Sequence, residues 1–137
     1  MDCNVHKLVA DVAVFAQGRV LLVKYKDTSR YDHQDGWFLP GDYLDHEEHP
    51  EDAAKRILAE QAGLALPSVG LDAIESFGNG AWHLIFHYRA DIDRALPVGA
   101  TGNVAAAEWF ELSALPPPSE VAHHGWALDV LSKMIAP

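Results

Sequence analysis

The segment 40–64, PGDYLDHEEHPEDAAKRILAEQAGL, holds the densest set of chemically competent side chains in the chain. Asp42, Asp45, Glu47 and Glu48 form an acidic run, with His46 and His49 flanking the glutamates. Carboxylate oxygens suit Mg²⁺ and Mn²⁺, and neutral imidazoles suit Zn²⁺ and Mn²⁺. A divalent ion held by such groups neutralises phosphate oxygens and activates water. A helix should follow, opened by Pro50 and closed at Gly63, since proline suits the first helical position and glycine the C-terminal cap. Residues at i, i+3 and i+4 share one helix face. On the face formed by Ile57, Glu60 and Gln61, only Glu60 is a carboxylate. Gln61 offers a neutral oxygen and Ile57 offers none. The same helix also reads as plainly amphipathic, with Ala54, Ile57, Leu58 and Gln61 inward and Glu51, Asp52, Lys55 and Arg56 outward. Glu51 and Asp52 sit where the helix dipole favours negative charge. Arg56 and Glu60 are placed for an i,i+4 pair.

The elements that would position these groups follow from pattern. Lys7 to Phe15 is rich in Val and Ala and reads as a strand; Arg19 to Tyr25, RVLLVKY, pairs with it across the turn Gln17-Gly18. Lys26 to Gly36 is a polar loop, and Trp37 to Leu39 a short strand. The helix opened by Pro50 covers Pro50 to Ala62. Leu71 to Phe77 and Ala81 to Ala90 are strands about the turn Gly78-Asn79-Gly80, a strong hairpin signal. Asp91 to Asn103 is a loop, and Ala105 to Leu112 a strand. Pro116-Pro117-Pro118 interrupts the chain, and Ser119 is expected to cap a last helix running to about Ile135, with His123 and His124 at its start.

Composition narrows the function classes. A chain of 137 residues, 49% hydrophobic with four tryptophans, is one globular domain able to bury a core. A net charge of −10 repels a polynucleotide backbone and argues against a nucleic-acid polymer as partner. It is compatible with a small phosphorylated ligand that brings a cation. The single cysteine, Cys3, leaves no internal disulfide and fits a reducing cytosol. The first residues lack the pattern of a signal peptide, and no apolar run approaches a membrane span.

Residues 42–64 resemble the Nudix box, the signature of a family of metal-dependent pyrophosphohydrolases, which runs G-x5-E-x7-R-E-U-x-E-E-x-G-U with U a bulky aliphatic residue. Trp37-Phe38-Leu39-Pro40-Gly41 is similar to the strand and Pro-Gly turn that lead into that box. Asp42 takes the first box position, Glu48 the first glutamate, Arg56 the arginine, Glu60 the second helix glutamate and Gly63 the closing glycine. Leu58 and Leu64 take the aliphatic positions. Asp42 for Gly, Ile57 for the first helix Glu and Gln61 for the third are departures.

The resemblance implies an α/β fold, a Nudix-type α/β/α sandwich with a mixed β-sheet between helices, as one domain over 1–137. It implies Glu60 as chief ligand of Mg²⁺ or Mn²⁺, with the Gly41 carbonyl and Gln61 as weaker ones. With one helix carboxylate left, the cation should be held weakly and only alongside a bound substrate. Arg56 would hold Glu48 and order the loop. His123 or His124 would be the base, as in members whose base lies outside the box. The loop 101–104, where the family often has another metal-binding glutamate, offers only Asn103. A nucleotide's ring would pack on Tyr31, Trp37, Phe77 or Trp82, and its phosphates would meet Lys24, Lys26 or Arg30. Trp37 reads equally as a core residue, and the remaining histidines, His83 and His87 on one strand face among them, as surface or pocket-lining groups. Two functions are open on these residues. One is a cytoplasmic pyrophosphohydrolase acting on a nucleoside diphosphate linked to another moiety, with a weakened or rearranged metal site. The other is a catalytically inactive Nudix domain that binds a nucleotide or a protein. A homodimer is compatible with either.

Overall fold

A computed structural model describes residues 6–78 and 80–135; Cys3 and Asn79 lie outside them. β1 (His6–Ala16) and β2 (Arg19–Tyr25) form the hairpin expected from their apolar runs. They stay paired only next to the turn, at Phe15 with Val20 and Ala16 with Arg19. Beyond that they splay, and residues 37–43 enter the gap. The Val12 N–H donates to the Pro40 carbonyl, and Phe38 and Val23 exchange backbone hydrogen bonds. β3 (Gly41–Tyr43) then pairs antiparallel with β1, placing Gly41 beside Asp11. The short strand expected at Trp37 to Leu39 is corrected to two isolated bridges, Trp37 with Val121 and Phe38 with Val23. Pro40 has no N–H to donate, so no continuous ladder runs through it.

The remaining strands are β4 (Gly70–Gly78), β5 (Trp82–Ile92) and β6 (Val104–Glu111), and the helices are α1 (Pro50–Ala62) and α2 (Ala122–Ile135). The sheet order is β4-β5-β1-β2-β6 with β3 against β1. β1 and β5 run parallel and every other pair is antiparallel, so the sheet is mixed, as expected.

Strand side chains alternate between faces, and each face has its own core. Val12, Val14 and Leu21 pack with Ala54, Leu58 and Ala62 of α1. Ala13, Phe15, Val20 and Leu22 pack with Val130, Leu131 and Met134 of α2. The result is the helix–sheet–helix sandwich that carries the site at one end. No described helix is long and apolar enough to cross a membrane.

The start of α2 departs from expectation. Ser119 lies in a 3-10 turn over Pro118–Glu120, ahead of α2 and away from its cap position. His123, His124 and Gly125 have φ of 54°, 57° and 94°, so they form a left-handed turn, and regular helix begins after them. The His123 N–H donates to Gln34 Oε1 (3.0 Å), which ties this turn to the loop before β3.

Candidate functional site

The α1 helix is closed at both ends by its own sequence. His49 Nδ1 accepts from the Glu51 N–H (3.1 Å), and Gly63, at φ 66°, returns its N–H to the last turn. From this helix Arg56 reaches back over the acidic loop. Its Nε and a terminal nitrogen donate to the two oxygens of Glu48 (2.8 and 2.9 Å), and the terminal nitrogen also donates to the Tyr43 carbonyl (3.1 Å). The other terminal nitrogen holds Glu60 (3.1 Å). Glu48 also accepts from the Asp45 N–H (3.0 Å). Arg56 thereby fastens β3, the loop and the helix together, and its bidentate hydrogen bonds hold the Glu48 carboxyl below the ordinary glutamate range.

A second hub forms at Gly41. The Gln61 amide nitrogen donates to the Gly41 carbonyl at 2.8 Å, and the Tyr31 hydroxyl donates to the same oxygen at 3.3 Å. Tyr25 donates to Gln61 Oε1 (2.9 Å) and accepts from the Gly41 N–H (3.2 Å). Two carbonyl oxygens at this distance would need a cation between them, so the hydrogen bond has the Gln61 NH₂ group facing Gly41. Tyr25 and Tyr31 stack with ring centroids 3.7 Å apart. Burial, and Tyr31 beside it, push the Tyr25 hydroxyl well above its ordinary value, so it remains a donor.

Two adjoining cavities open around this hub. The larger, about 630 Å³, lies over the sheet face on the α2 side, with Asp11, Phe77, His83 and Trp126 among its walls. The smaller, about 310 Å³, lies against Glu60, Gln61 and Asn103. Tyr25, Arg30, Tyr31 and Asp42 border both. The larger volume is in the range of small-molecule sites.

The residues singled out from sequence are thus distributed unevenly. Arg30, Tyr31, Gly41, Glu60 and Gln61 meet at the two cavities, and Arg30 pairs there with Asp42 (2.9 Å). Glu48 and Arg56 stand behind them as a clamp. His123 lines the larger cavity and sits 3.3 Å from Asp32, whereas exposed His124 does not border it. Trp37 lies in the α2-side core against Phe110, with Lys24 over its ring, and neither borders a cavity. Trp82 is exposed and bonds Ser76. Asn103 holds Asp27 through two backbone hydrogen bonds and so anchors the loop after β2.

A family model of the NUDIX domain matches residues 5–130. The chain belongs to the Nudix family. A comparison with curated proteins found no significant match. Among solved structures it is similar to a MutT NUDIX hydrolase from Burkholderia pseudomallei, with 24% identity, a TM-score of 0.77, and 96% of this chain and 98% of that one covered. It is similar to the NUDIX domain of Shewanella oneidensis NrtR complexed with ADP ribose, with 21% identity, a TM-score of 0.69, and 80% and 75% covered. It is also similar to a C. elegans Ap4A hydrolase in a binary complex, with 16% identity, a TM-score of 0.63, and 78% and 81% covered.

The donor set of this Nudix domain does not fit the divalent ion that the family implies. Ile57 is fully buried against Ala10 and Ala53. Gln61 presents N–H, not oxygen, to the Gly41 carbonyl, and with Tyr31 it takes up both lone pairs of that carbonyl. Glu60 is the one carboxylate left on that helix face, and it is engaged by Arg56. No three His, Cys, Asp or Glu side chains among the described residues converge on a metal position.

One cluster went unnoticed in the sequence. Asp11 on β1 lies beside His87 on β5 in parallel register, and Glu75 approaches from β4. His87 Nδ1 is 2.6 Å from Asp11 Oδ1 and Nε2 is 2.6 Å from Glu75 Oε1. Asp11 is 2% exposed, and its Oδ2 is the one buried side-chain polar atom among the described residues without a partner, an arrangement that costs about 1–3 kcal/mol. Burial raises the Asp11 carboxyl above its ordinary value, against the lowering effect of His87. Burial disfavours the His87 cation, but the two carboxylates outweigh it and raise its pKa. The available signal was a lone acid inside the apolar strand LVADVAVFA.

Proposed function

We propose that this chain is a nucleotide-binding Nudix domain that holds a nucleoside diphosphate derivative across the two cavities without a divalent ion on its box helix. The hydrogen bond from Gln61 to Gly41 carries this reading, because together with the Tyr31 hydroxyl it fills both lone pairs of the carbonyl that would serve a cation. Stacked Tyr25 and Tyr31, with Arg30 beside them, offer an apolar wall and a cation where the cavities join. The similar NUDIX domain complexed with ADP ribose supports the ligand class. A reducing cytosol fits the single cysteine. Calorimetry with ADP-ribose is the test, run once in EDTA and once in Mg²⁺ or Mn²⁺, with product analysis by chromatography. Equal affinity in both buffers and intact ligand are expected. Binding that requires the metal, or turnover, overturns the reading.

A second reading, hydrolysis of a nucleoside diphosphate linked to another moiety, is favoured by the retained clamp of Glu48, Arg56 and Glu60. It requires a divalent ion that arrives with the substrate's phosphates. Turnover in the wild-type protein that is lost in Glu60→Gln supports it. No turnover in the wild type, together with activity gained in Ile57→Glu/Gln61→Glu, places the chain with the binding domains.

A further inference from the structure

We propose that Asp11 selects the base of the bound nucleotide, accepting a hydrogen bond at Oδ2 from an exocyclic amino group. The inference rests on the reading of the larger cavity as a nucleotide site and names the chemistry of the base it takes. Asp11 lines that cavity, is 2% exposed, and keeps one oxygen without a partner. Its other oxygen is committed to His87 at 2.6 Å. A histidine whose two nitrogens each lie 2.6 Å from a carboxylate oxygen needs a proton on both N···O lines. Each proton lies between its two heavy atoms, whichever atom formally owns it, and neither occupies Oδ2. With the carboxyl ionised, Oδ2 can only accept, and the three groups together carry one negative charge.

Surrounding side chains favour a flat ring at this floor. Phe77 and His83 stack on each other along β4 and β5, with centroids 4.8 Å apart, and Trp126 faces His87 at 5.6 Å from α2. An amino group projects beyond the ring edge and meets this acceptor. A keto oxygen at the same place sets two acceptors against each other. The N3–H of uracil lies between two carbonyl oxygens and the N1–H of hypoxanthine beside one, and a negative floor repels these oxygens. Adenine, cytosine and guanine are thereby favoured over hypoxanthine and uracil.

Matched pairs test this contact, because each exchanges an amino group for a keto oxygen, and the ring nitrogen beside it for N–H, while leaving the phosphates unchanged. Affinities of the wild-type protein for ADP against IDP, and for CDP against UDP, are measured by calorimetry in EDTA. At least about tenfold preference for the amino member is expected in a pair that binds, the size of one hydrogen bond to a charged group. In Asp11→Asn the new side chain can keep its oxygen toward His87 and present N–H to the ligand, so the preference should disappear or reverse. The wild-type comparison needs no variant, so poor folding of Asp11→Asn leaves it decisive. Binding with equal affinity for amino and keto members overturns the role of Asp11 and leaves the cavity a nucleotide site. Failure of all four nucleotides to bind overturns the reading of the cavity and this inference with it.

Discussion

Gln61 and Glu48 show how single side chains set the character of the box. Gln61→Glu would place a carboxylate oxygen 2.8 Å from the Gly41 carbonyl in place of a donor. Two acceptors then face each other in a buried setting, which should cost about 1–3 kcal/mol. A cation between them would relieve the clash, and whatever binds only the folded state stabilises it by mass action. The variant should therefore melt below the wild type in EDTA and recover part of the loss in millimolar Mn²⁺, while the wild type is unmoved by the ion. Fluorimetric melting curves with and without Mn²⁺ check this; a wild-type shift as large as the variant's would refute it. Glu48 gives a pH-dependent counterpart. Its folded carboxyl is held below the ordinary value, chiefly by hydrogen bonds from Arg56. On acidification the unfolded chain takes up this proton first, so the contribution is complete above the ordinary glutamate range and is lost as pH falls through the depressed value. Glu48→Gln should cost about 1–3 kcal/mol at pH 7, and its gap from the wild type should close at low pH. Urea denaturation of both proteins across the acid range measures that gap.

At the scale of elements, α1 was legible because all its signals agree: Pro50 at the start, Gly63 at the end, and an apolar face at helical spacing. β2 was legible for a similar reason, as an apolar run behind a turn. β3 was not, because three residues carry no period and their pairing depends on β1 and β2 splaying apart. The Asp11–His87–Glu75 cluster was hidden because its members sit on three strands, and only the parallel register of β1 and β5 brings the first two together. The left-handed turn ahead of α2 was misread because Ser119 before an apolar stretch looks like a helix cap. Capping predicts a loss of about 1 kcal/mol for Ser119→Ala. The observed turn, which keeps Ser119 inside a 3-10 turn before the helix, predicts a change within about 0.5 kcal/mol. Gly125→Ala should cost more, about 1–2 kcal/mol, since φ is 94° and an added Cβ would lie 3.2 Å from the Pro118 Cβ. Chemical denaturation of the two variants distinguishes the turn from a capped helix; equal losses would speak against the turn.

Over the whole molecule, a net charge of −10 must be reconciled with an anionic ligand. The cation best placed for a diphosphate, Arg30, is already paired with Asp42 where the cavities join. Asp42 stands where the box usually has glycine, so this sequence adds a charge that both occupies Arg30 and repels phosphate. Asp42→Asn should free the guanidinium and remove one like charge a few ångströms from the ligand, a difference of about 1 kcal/mol at the dielectric of bulk water. ADP should bind about fivefold more tightly as a result. The remaining acidic groups act at longer range and are screened by salt, with a Debye length of about 10 Å at 0.1 M. Raising NaCl from about 10 mM to about 100 mM should therefore strengthen ADP binding to the wild type, the reverse of the usual trend for a phosphate site built on a basic patch. Calorimetric titrations of wild type and Asp42→Asn at the two salt concentrations give both numbers. Weaker binding to the variant, or a wild-type affinity that falls with salt, would mean that the phosphates rest on other cations and that Arg30 and Asp42 stay paired under the ligand.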